Sequence, residues 1–242
     1  MKPTNLSIFP NSDALALAFA KHFAQKADES IRARGRFLVV LSGGGTPLKA
    51  FHLLAQEPFK SQIDWVKIHF FWGDERHVPH DDPGSNFFQA REALLMHVPV
   101  SEENLHPMPT DLAPGDAAEA YRRTIAAFTE ASQKHVRFDL VMLGLGSDGH
   151  TASLFVGQSA QWTSPVITTE GEYEGRPAIR LTLTPPVINR AREVVFLVSG
   201  ASKADALANA LGDEQDIDRF PAQSISAETL RWMVDADAAV KL

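Results

Sequence analysis

The chain has 242 residues, of which 44% are apolar and 22% charged, as expected of a globular protein with a buried core. No apolar run approaches the length of a membrane span, and the first residues lack the apolar stretch of a secretory signal, so we expect a cytoplasmic protein. Cysteine is absent, which excludes disulfides, cysteine nucleophiles and thiolate metal sites, and the net charge of −7 argues against broad nucleic-acid binding.

Segments typical of strands and helices alternate along the chain. Apolar residues recur every four positions in the first helix, predicted over 12–34, with Ser12 or Asp13 as its cap and Gly35 at its end. In chain order the other predicted helices are 47–55, 85–96, 117–134 and 202–211, and the predicted strands are 37–41, 66–72, 138–143, 179–183, 194–198 and 232–234. The alternation predicts a single Rossmann-like α/β domain over residues 1–242, with a mostly parallel sheet and helices on both faces.

The first of these strands runs into a glycine-rich turn. Consecutive glycines let backbone N–H groups approach a ligand closely. Thr46 as N-cap and Pro47 at the first helical position would aim a helix N-terminus at the same place, where anions bind. A plain turn needs fewer glycines, and no Gly-Lys-Ser/Thr follows as in a Walker loop. We therefore predict a phosphate-binding loop made of Ser42, Gly43, Gly44, Gly45 and Thr46.

A second group of polar residues follows the strand at 66–72. Asp74 and Arg76 either pair with each other or contact a substrate. A metal site built on His77 and His80 lacks the ligand spacing of zinc motifs, so we predict no metal. Three further polar residues are expected at the solvated surface: Glu75, His80 and Asp82.

The strand predicted at 138–143 leads into a turn that carries Asp148 and His150. A histidine with a carboxylate beside it is suited to general-base chemistry, although a purely structural loop is the alternative. The glycines of this turn are interpreted as leaving room for a water and a substrate ring, and they are Gly144, Gly146 and Gly149. Their spacing matches a dinucleotide fingerprint, but Gly157 interrupts the long helix which that fingerprint requires.

Two cations extend the candidate site. Lys203 lies in the first turn of the helix at 202–211, where a positive charge is unfavourable unless an anion compensates it. Arg180, near the start of the strand at 179–183, can reach the same anion, and each cation is also compatible with an ordinary surface position. No G-x-S-x-G elbow is present, so we predict direct attack by water activated by His150.

These motifs together resemble the 6-phosphogluconolactonase family, within the glucosamine/galactosamine-6-phosphate isomerase superfamily. The segments that carry the resemblance occur in the right order, at 41–47, 72–76, 85–87, 144–155 and 180–184, with Gly200 and Lys203. Val156 departs from the usual proline without removing a catalytic group. The related deaminases have a different continuation after Asp-Gly-His, so Thr-Ala-Ser-Leu-Phe at 151–155 favours a lactonase.

The resemblance implies hydrolysis of 6-phospho-D-glucono-1,5-lactone to 6-phosphogluconate, the second step of the oxidative pentose phosphate pathway, with no cofactor. It implies that His150 with Asp148 activates the water, that Arg76 stabilises the oxyanion, and that Asp74 is a further catalytic candidate. The phosphate would be held by the 42–46 loop, Arg180 and Lys203. We expect a monomer or weak homodimer with no nucleic-acid or membrane partner. A sugar-phosphate isomerase or deaminase on the same fold, and a sugar-phosphate sensor without chemistry, stay open as alternatives.

Overall fold

The computed structural model describes residues 5–129, 136–171, 175 and 177–242. Its strands are β1 (Asn5–Phe9), β2 (Phe37–Leu41), β3 (Ile68–Trp72), β4 (Asp74–Arg76), β5 (Leu105–His106), β6 (Leu140–Leu143), β7 (Val166–Glu170), β8 (Ile179–Leu183), β9 (Glu193–Val198) and β10 (Thr229–Asp235). Its α-helices are α1 (Ser12–Arg34), α2 (Gly45–Leu54), α3 (Phe59–Gln62), α4 (Asn86–Ala93), α5 (Pro114–Ala126), α6 (Pro185–Ile188) and α7 (Ala204–Leu211). None of the described helices is long and apolar enough to cross a membrane.

Seven strands form a parallel sheet in the order β1-β10-β9-β6-β2-β3-β5. After β2 the chain adds β3 and β5 on one side, then returns to add β6 and the later strands on the other. In open α/β sheets such a reversal leaves a crevice at the carboxyl ends of the strands, where ligands bind. The predicted fold class is confirmed, and the crevice lies between β2 and β6.

A second sheet, antiparallel and in the order β4-β8-β7, was not predicted. The chain passes into it at Gly73, whose N–H donates to the Leu41 carbonyl at 2.9 Å and whose own carbonyl accepts from Leu183 N at 2.7 Å. β4 is too short for a period-2 pattern to reveal it. Its pairing with β8 places Asp74 and Arg76 beside the carboxyl end of the parallel sheet.

Helices cover both faces of the parallel sheet. On one face Phe23 of α1 stacks on Trp65, and Trp65 stacks on Phe70, with ring centroids 6.2 and 6.4 Å apart. The next residue along β3, Phe71, meets the edge of Phe128, just after α5, at 5.0 Å. Successive strand residues point to opposite faces, so α1 and α5 lie on opposite sides of the sheet. The described residues share one hydrophobic core, while the single domain over 1–242 stays a prediction.

The caps of two helices differ from the predicted ones. Asn11, not Ser12 or Asp13, caps α1, because its side-chain oxygen accepts from the backbone N–H groups of residues 13 and 14. Gly35 ends α1 in the left-handed conformation, as predicted. The N-cap of α2 is Gly44, so Thr46 and Pro47 lie inside the first turn. A φ of 105° at Gly44 lets the chain enter the helix earlier than a threonine cap would allow.

The observed bounds of other helices and strands differ from the predicted bounds by a few residues. Strands predicted at 66–72 and 138–143 begin later than expected, β3 after a 3₁₀ turn at Trp65–Lys67. The helices predicted at 85–96 and 202–211 are shorter because 3₁₀ turns occupy one end of each, Leu95–His97 and Ala201–Lys203. β10 extends the short strand predicted at 232–234. α5 begins earlier and ends earlier than the predicted 117–134, whose last residues, 130–134, lie outside the described residues.

Candidate active site

A cleft of about 190 Å³ lies at the carboxyl edge of the parallel sheet, where the segments after β2, β3, β6 and β9 meet. All the predicted site residues except Asp148 line it, namely Ser42, Gly43, Gly44, Gly45, Thr46, Asp74, Arg76, His150, Arg180 and Lys203. Because parallel strands end at the same edge, side chains from distant parts of the sequence converge here.

His150 and Asp148 form a hydrogen-bonded pair at one wall of the cleft. The Nδ1–H of His150 donates to Asp148 Oδ1 at 2.6 Å, and the His150 backbone N–H donates to the same oxygen at 3.2 Å. Burial raises the pKa of Asp148, but the hydrogen bond and charge of His150 outweigh it, so the pKa lies below its usual value. An ionised Asp148 therefore keeps the proton on Nδ1 and leaves Nε2 as the basic nitrogen.

Gly146 makes room for this pair rather than for a ligand. A Cβ on Gly146 would stand 2.1 Å from His150 Nδ1 and 2.4 Å from Asp148 Oδ1. The Gly146 N–H also donates to the His150 carbonyl at 2.7 Å, which closes the turn. The expectation that this glycine leaves space for water and substrate is therefore corrected, since the two side chains fill that space themselves.

Asp74 is held in the cleft wall by two side chains that were not among the predicted site residues. Ser153 Oγ donates to Asp74 Oδ2 at 2.7 Å, and Asn86 Nδ2 donates to Asp74 Oδ1 at 3.3 Å. Both residues lie in segments that carried the family resemblance, but nothing in their local pattern indicated a partner 12 or 79 positions away. The structure thus places a second carboxylate in the cleft in a defined orientation.

Arg76 and Arg180 stand directly opposite each other on β4 and β8. Both are buried, and each donates to a backbone carbonyl, Arg76 to Gly84 and Arg180 to Pro177. Like charges on facing strand positions are unfavourable unless a counter-charge lies nearby. Two guanidinium groups in one wall give that side of the cleft a positive potential.

Two backbone turns at the cleft present further positive potential. α2 begins at Gly45, and Gly200, with a φ of 96°, leads into the 3₁₀ turn that ends at Lys203. Asp235, at the end of β10, was not predicted but shapes this second turn by accepting from Ser199 Oγ and from Gly200 N at 3.0 Å. Burial raises the pKa of Asp235, yet these hydrogen bonds bring it below its usual value. The helix N-terminus and Lys203 both suit an anion.

The prediction that Glu75 is a solvated surface residue is wrong, since its side chain is fully buried. Its carboxylate accepts hydrogen bonds from the backbone N–H groups of Arg76, Asn86 and Phe87 and from Ser85 Oγ, at 2.7 to 3.0 Å. Burial raises the pKa of Glu75, while these hydrogen bonds act in the opposite direction. A helix N-terminus supplies enough donors to hold a carboxylate away from water. Glu75 thereby attaches the start of α4 to β4.

His80 and Asp82 are half-buried rather than solvated. The His80 Nε2–H donates to the Met108 carbonyl at 2.7 Å, and Asp82 Oδ1 accepts from Gly84 N at 2.6 Å. His77 Nε2 contacts the Leu112 carbonyl at 2.9 Å. These contacts order the irregular loop after β4. Within the described ranges, no three His, Asp or Glu side chains are grouped so that they could hold a metal ion.

Fold and cleft together define an α/β protein whose cleft is lined by two buried arginines and by the histidine of a histidine–aspartate pair. A family model described as glucosamine-6-phosphate isomerases/6-phosphogluconolactonase matches residues 10–233. A 6-phosphogluconolactonase of Synechocystis sp. is 44% identical over 88% of this chain and 88% of its own. The chain therefore belongs to the glucosamine-6-phosphate isomerase/6-phosphogluconolactonase family.

Solved structures show the same fold. The crystal structure of 6-phosphogluconolactonase from Thermotoga maritima is 30% identical, covers 96% of this chain and 99% of its own, and has a TM-score of 0.83. A monomeric glucosamine-6-phosphate deaminase has a TM-score of 0.86 over 99% of this chain and 100% of its own, at 19% identity. The latter likeness shows the shared fold alone, so the backbone does not separate the two activities and the side chains of the cleft must.

Proposed function

We propose that this protein hydrolyses 6-phospho-D-glucono-1,5-lactone to 6-phospho-D-gluconate, the second step of the oxidative pentose phosphate pathway. The observation that carries the proposal is the His150–Asp148 pair at the wall of the cleft. The same cleft holds two buried arginines and the predicted phosphate-binding loop at 42–46, called the anion loop from here on. Relatives that bear the name of this activity match over most of the chain. The net charge of −7 also suits a small metabolite better than nucleic acid.

The phosphate end of the substrate binds at the 42–46 loop. Backbone N–H groups at the start of α2 donate to the phosphate oxygens, and the helix dipole adds positive potential there. Lys203 and Arg180 line the same cleft and supply full positive charges. No cofactor takes part in this binding.

The lactone carbonyl lies beside His150. As water attacks the carbonyl carbon, His150 Nε2 takes its proton, and Asp148 stabilises the imidazolium that forms. Arg76 stabilises the oxyanion of the tetrahedral intermediate, and Asp74, the other catalytic candidate, orients the substrate from the same wall. The bond from carbon to ring oxygen then breaks, and the imidazolium returns its proton to that oxygen. General-base help is worth about 10²–10⁴-fold and one oxyanion donor about 10²–10³-fold, which suffices for an activated ester.

The test starts from lactone generated freshly with glucose-6-phosphate dehydrogenase, and it measures 6-phosphogluconate formation above the spontaneous rate. Clear acceleration by micromolar protein is expected. Absence of acceleration would sink the proposal, and turnover of an amino-sugar phosphate would point to a deaminase or isomerase instead. Binding of 6-phosphogluconate without any turnover would indicate a sensor.

Two variants assign the roles within the cleft. His150→Ala is expected to lose the acceleration while it still binds 6-phosphogluconate. Lys203→Ala is expected mainly to raise KM, because it removes charge from the phosphate end, which does not react. An unchanged KM in Lys203→Ala would rule out its phosphate role. A cytoplasmic location and a monomer or weak homodimer stay predictions, the latter checked by sedimentation.

A further inference from the structure

Asn86 joins two walls of the cleft that come from different parts of the chain. It is the first residue of α4, and only 2% of it is exposed. Its Nδ2 donates to the Asp74 backbone carbonyl at 2.9 Å as well as to Asp74 Oδ1 at 3.3 Å. Both Asp74 atoms are acceptors, so the amide must present its NH₂ group to them. The orientation of the side chain follows from that requirement.

The opposite end of the amide lies against the anion loop. A Cβ on Gly43 would stand 1.9 Å from Asn86 Oδ1 and 2.5 Å from its Cγ, distances that real Cβ atoms do not adopt. Gly43 has no left-handed φ, so its backbone conformation alone does not require glycine. The two following glycines differ, since Gly44 has a φ of 105° and a Cβ on Gly45 would meet open space. Gly43 is thus the loop residue whose lack of a side chain is matched to Asn86.

Hydrogen bonds at the start of α4 also hold the backbone of Asn86 in place. Its backbone N–H donates to the buried Glu75 carboxylate at 2.7 Å, and Ser85 Oγ caps α4 by accepting from Phe88 N. Within the described part of the chain, the buried Asn86 Oδ1 has no hydrogen-bond partner. A buried acceptor without a partner is unfavourable and needs a reason. We attribute the position of Asn86 Oδ1 to its contact with the Gly43 backbone. This contact fixes how closely the anion loop approaches Asp74.

We propose that Asn86 is a positioning residue that sets the distance between the anion loop at Gly43 and the carboxylate of Asp74. Given the proposed function, Asn86 holds the phosphate end of the substrate at a constant separation from the reacting carbonyl. Misplacement of reacting groups by about 1 Å can cost about a hundredfold in rate, so a rigid spacer between the two walls affects the rate through the groups whose separation it fixes.

A double-mutant cycle tests this inference. Gly43→Ala alone is expected to lower kcat/KM about a hundredfold, because its Cβ displaces the loop from Asn86. Asn86→Ala alone is expected to raise KM and lower kcat. In the double variant the space left by Asn86 accepts the new methyl group, so kcat/KM should exceed the product of the single effects by about tenfold. If Gly43→Ala costs the same in both backgrounds, the Gly43–Asn86 contact is irrelevant and the inference is wrong.

Asn104 offers a matched control. It is also a buried asparagine, 6% exposed, and its Nδ2 donates to the Val66 carbonyl at 2.9 Å, away from the cleft. Asn104→Ala is expected to lower Tm about as much as Asn86→Ala, yet to leave kcat and KM unchanged. A merely structural role for Asn86 would reduce the fraction of folded protein without moving KM, and that outcome overturns the inference.

A binding measurement separates this inference from the proposed function. Inorganic phosphate, titrated by calorimetry, probes the anion loop without any reaction. Gly43→Ala is expected to weaken phosphate binding about tenfold in the parent protein and much less in the N86A background. If the parent protein shows no lactone turnover, but Gly43→Ala still weakens phosphate binding more in the parent than in the N86A background, only the proposed function is rejected. Equal weakening in both backgrounds would reject the positioning role only.

Discussion

At the residue scale, two glycines of the turn that carries Asp148 and His150, Gly144 and Gly146, differ in whether a side chain could replace them. The Cβ position of Gly146 is already filled by the ring of His150 and the carboxylate of Asp148. At Gly144, two residues earlier, the same position is open. The sequence shows both glycines in one motif and cannot rank them, because the difference arises from where the two side chains fold back.

Gly146→Ala is expected to retain the fold but to lower kcat at least about a hundredfold, since the methyl group would separate the hydrogen-bonded pair. The measurement is lactone turnover beside a circular dichroism spectrum. Gly115→Ala in α5 is the control, because its Cβ would contact nothing and its φ is not left-handed. That variant should keep full activity and gain slightly in Tm. Full activity in Gly146→Ala would show that the pair is not held in this geometry during catalysis.

Strain is concentrated in the same segment. Ala152 has a φ of 48°, the one positive value at a non-glycine residue in the described part of the chain. It lies between His150 and Ser153, which are tied to Asp148 and Asp74 respectively. Backbone strain of this kind persists where surrounding contacts over-determine the conformation, and it is common at functional sites. The Thr-Ala-Ser-Leu-Phe continuation after His150 therefore has a structural role, since it delivers Ser153 to Asp74.

At the element scale, the end of β3 is completed by a side chain instead of a strand. β5 has only two residues, and its last pairing is His106 with Phe71. One residue further, the Tyr121 hydroxyl of α5 accepts from Trp72 N at 2.8 Å and donates to Trp72 O at 3.1 Å. Burial raises the pKa of Tyr121, so the phenol keeps its proton and remains a donor. α5 thereby holds the strand that leads into Asp74.

Tyr121→Phe is expected to lower the free energy of unfolding by about 1–3 kcal/mol, because it leaves buried backbone groups of Trp72 without partners. Urea denaturation measures the effect. Thr124→Ala removes a hydroxyl from the same helix, where Oγ1 only bonds the Ala120 carbonyl, and it should change stability by less than about 0.5 kcal/mol. Equal stability of Tyr121→Phe and the parent would contradict the role assigned to this hydroxyl.

At the scale of the whole molecule, one buried carboxylate ties α1 to the sheet. Glu193 of β9 lies within 3.0 Å of His22 and of Arg231, and 3.2 Å from Lys26. Burial raises its pKa, but hydrogen bonds and charges from these partners outweigh burial and lower the pKa to about 2. In β5, at one edge of the sheet, burial and the neighbouring His69 lower the pKa of His106 to about 4. Both groups make folding depend on pH.

Stability is expected to fall in two steps on acidification. Folding lowers the pKa of His106, so this histidine stays neutral in the folded state. Between pH 6.5 and about 4 the unfolded chain therefore binds more protons, and the free energy of unfolding decreases as the pH falls. A carboxyl with a lowered pKa stabilises the fold above pH 4.5, and this is lost as pH falls towards about 2. Tm measured from pH 3 to 8 checks both steps.

Glu193→Gln should flatten the lower step, and His106→Phe the upper one. Glu228→Gln is the control for the lower step, because the Glu228 side chain is 72% exposed and forms only a surface ion pair with Arg137. An unchanged slope below pH 4.5 in Glu193→Gln would assign the acid sensitivity to other groups.

The sequence by itself determined the α/β class and the order of most elements, and its motifs identified ten of the residues that line the cleft. Apolar periodicity and glycine turns report local conformation, and motifs at the ends of parallel strands must converge. Element ends were less well predicted, because 3₁₀ turns and the Gly44 cap depend on neighbouring structure.

Only the tertiary structure decided how the cleft is held together. It buried Glu75 under α4, paired β4 with β8, and brought Asn86 between Gly43 and Asp74. These contacts join residues far apart in the chain, and each depends on which strands become neighbours. The local sequence does not determine which strands become neighbours, because the strand order depends on how the whole core is buried.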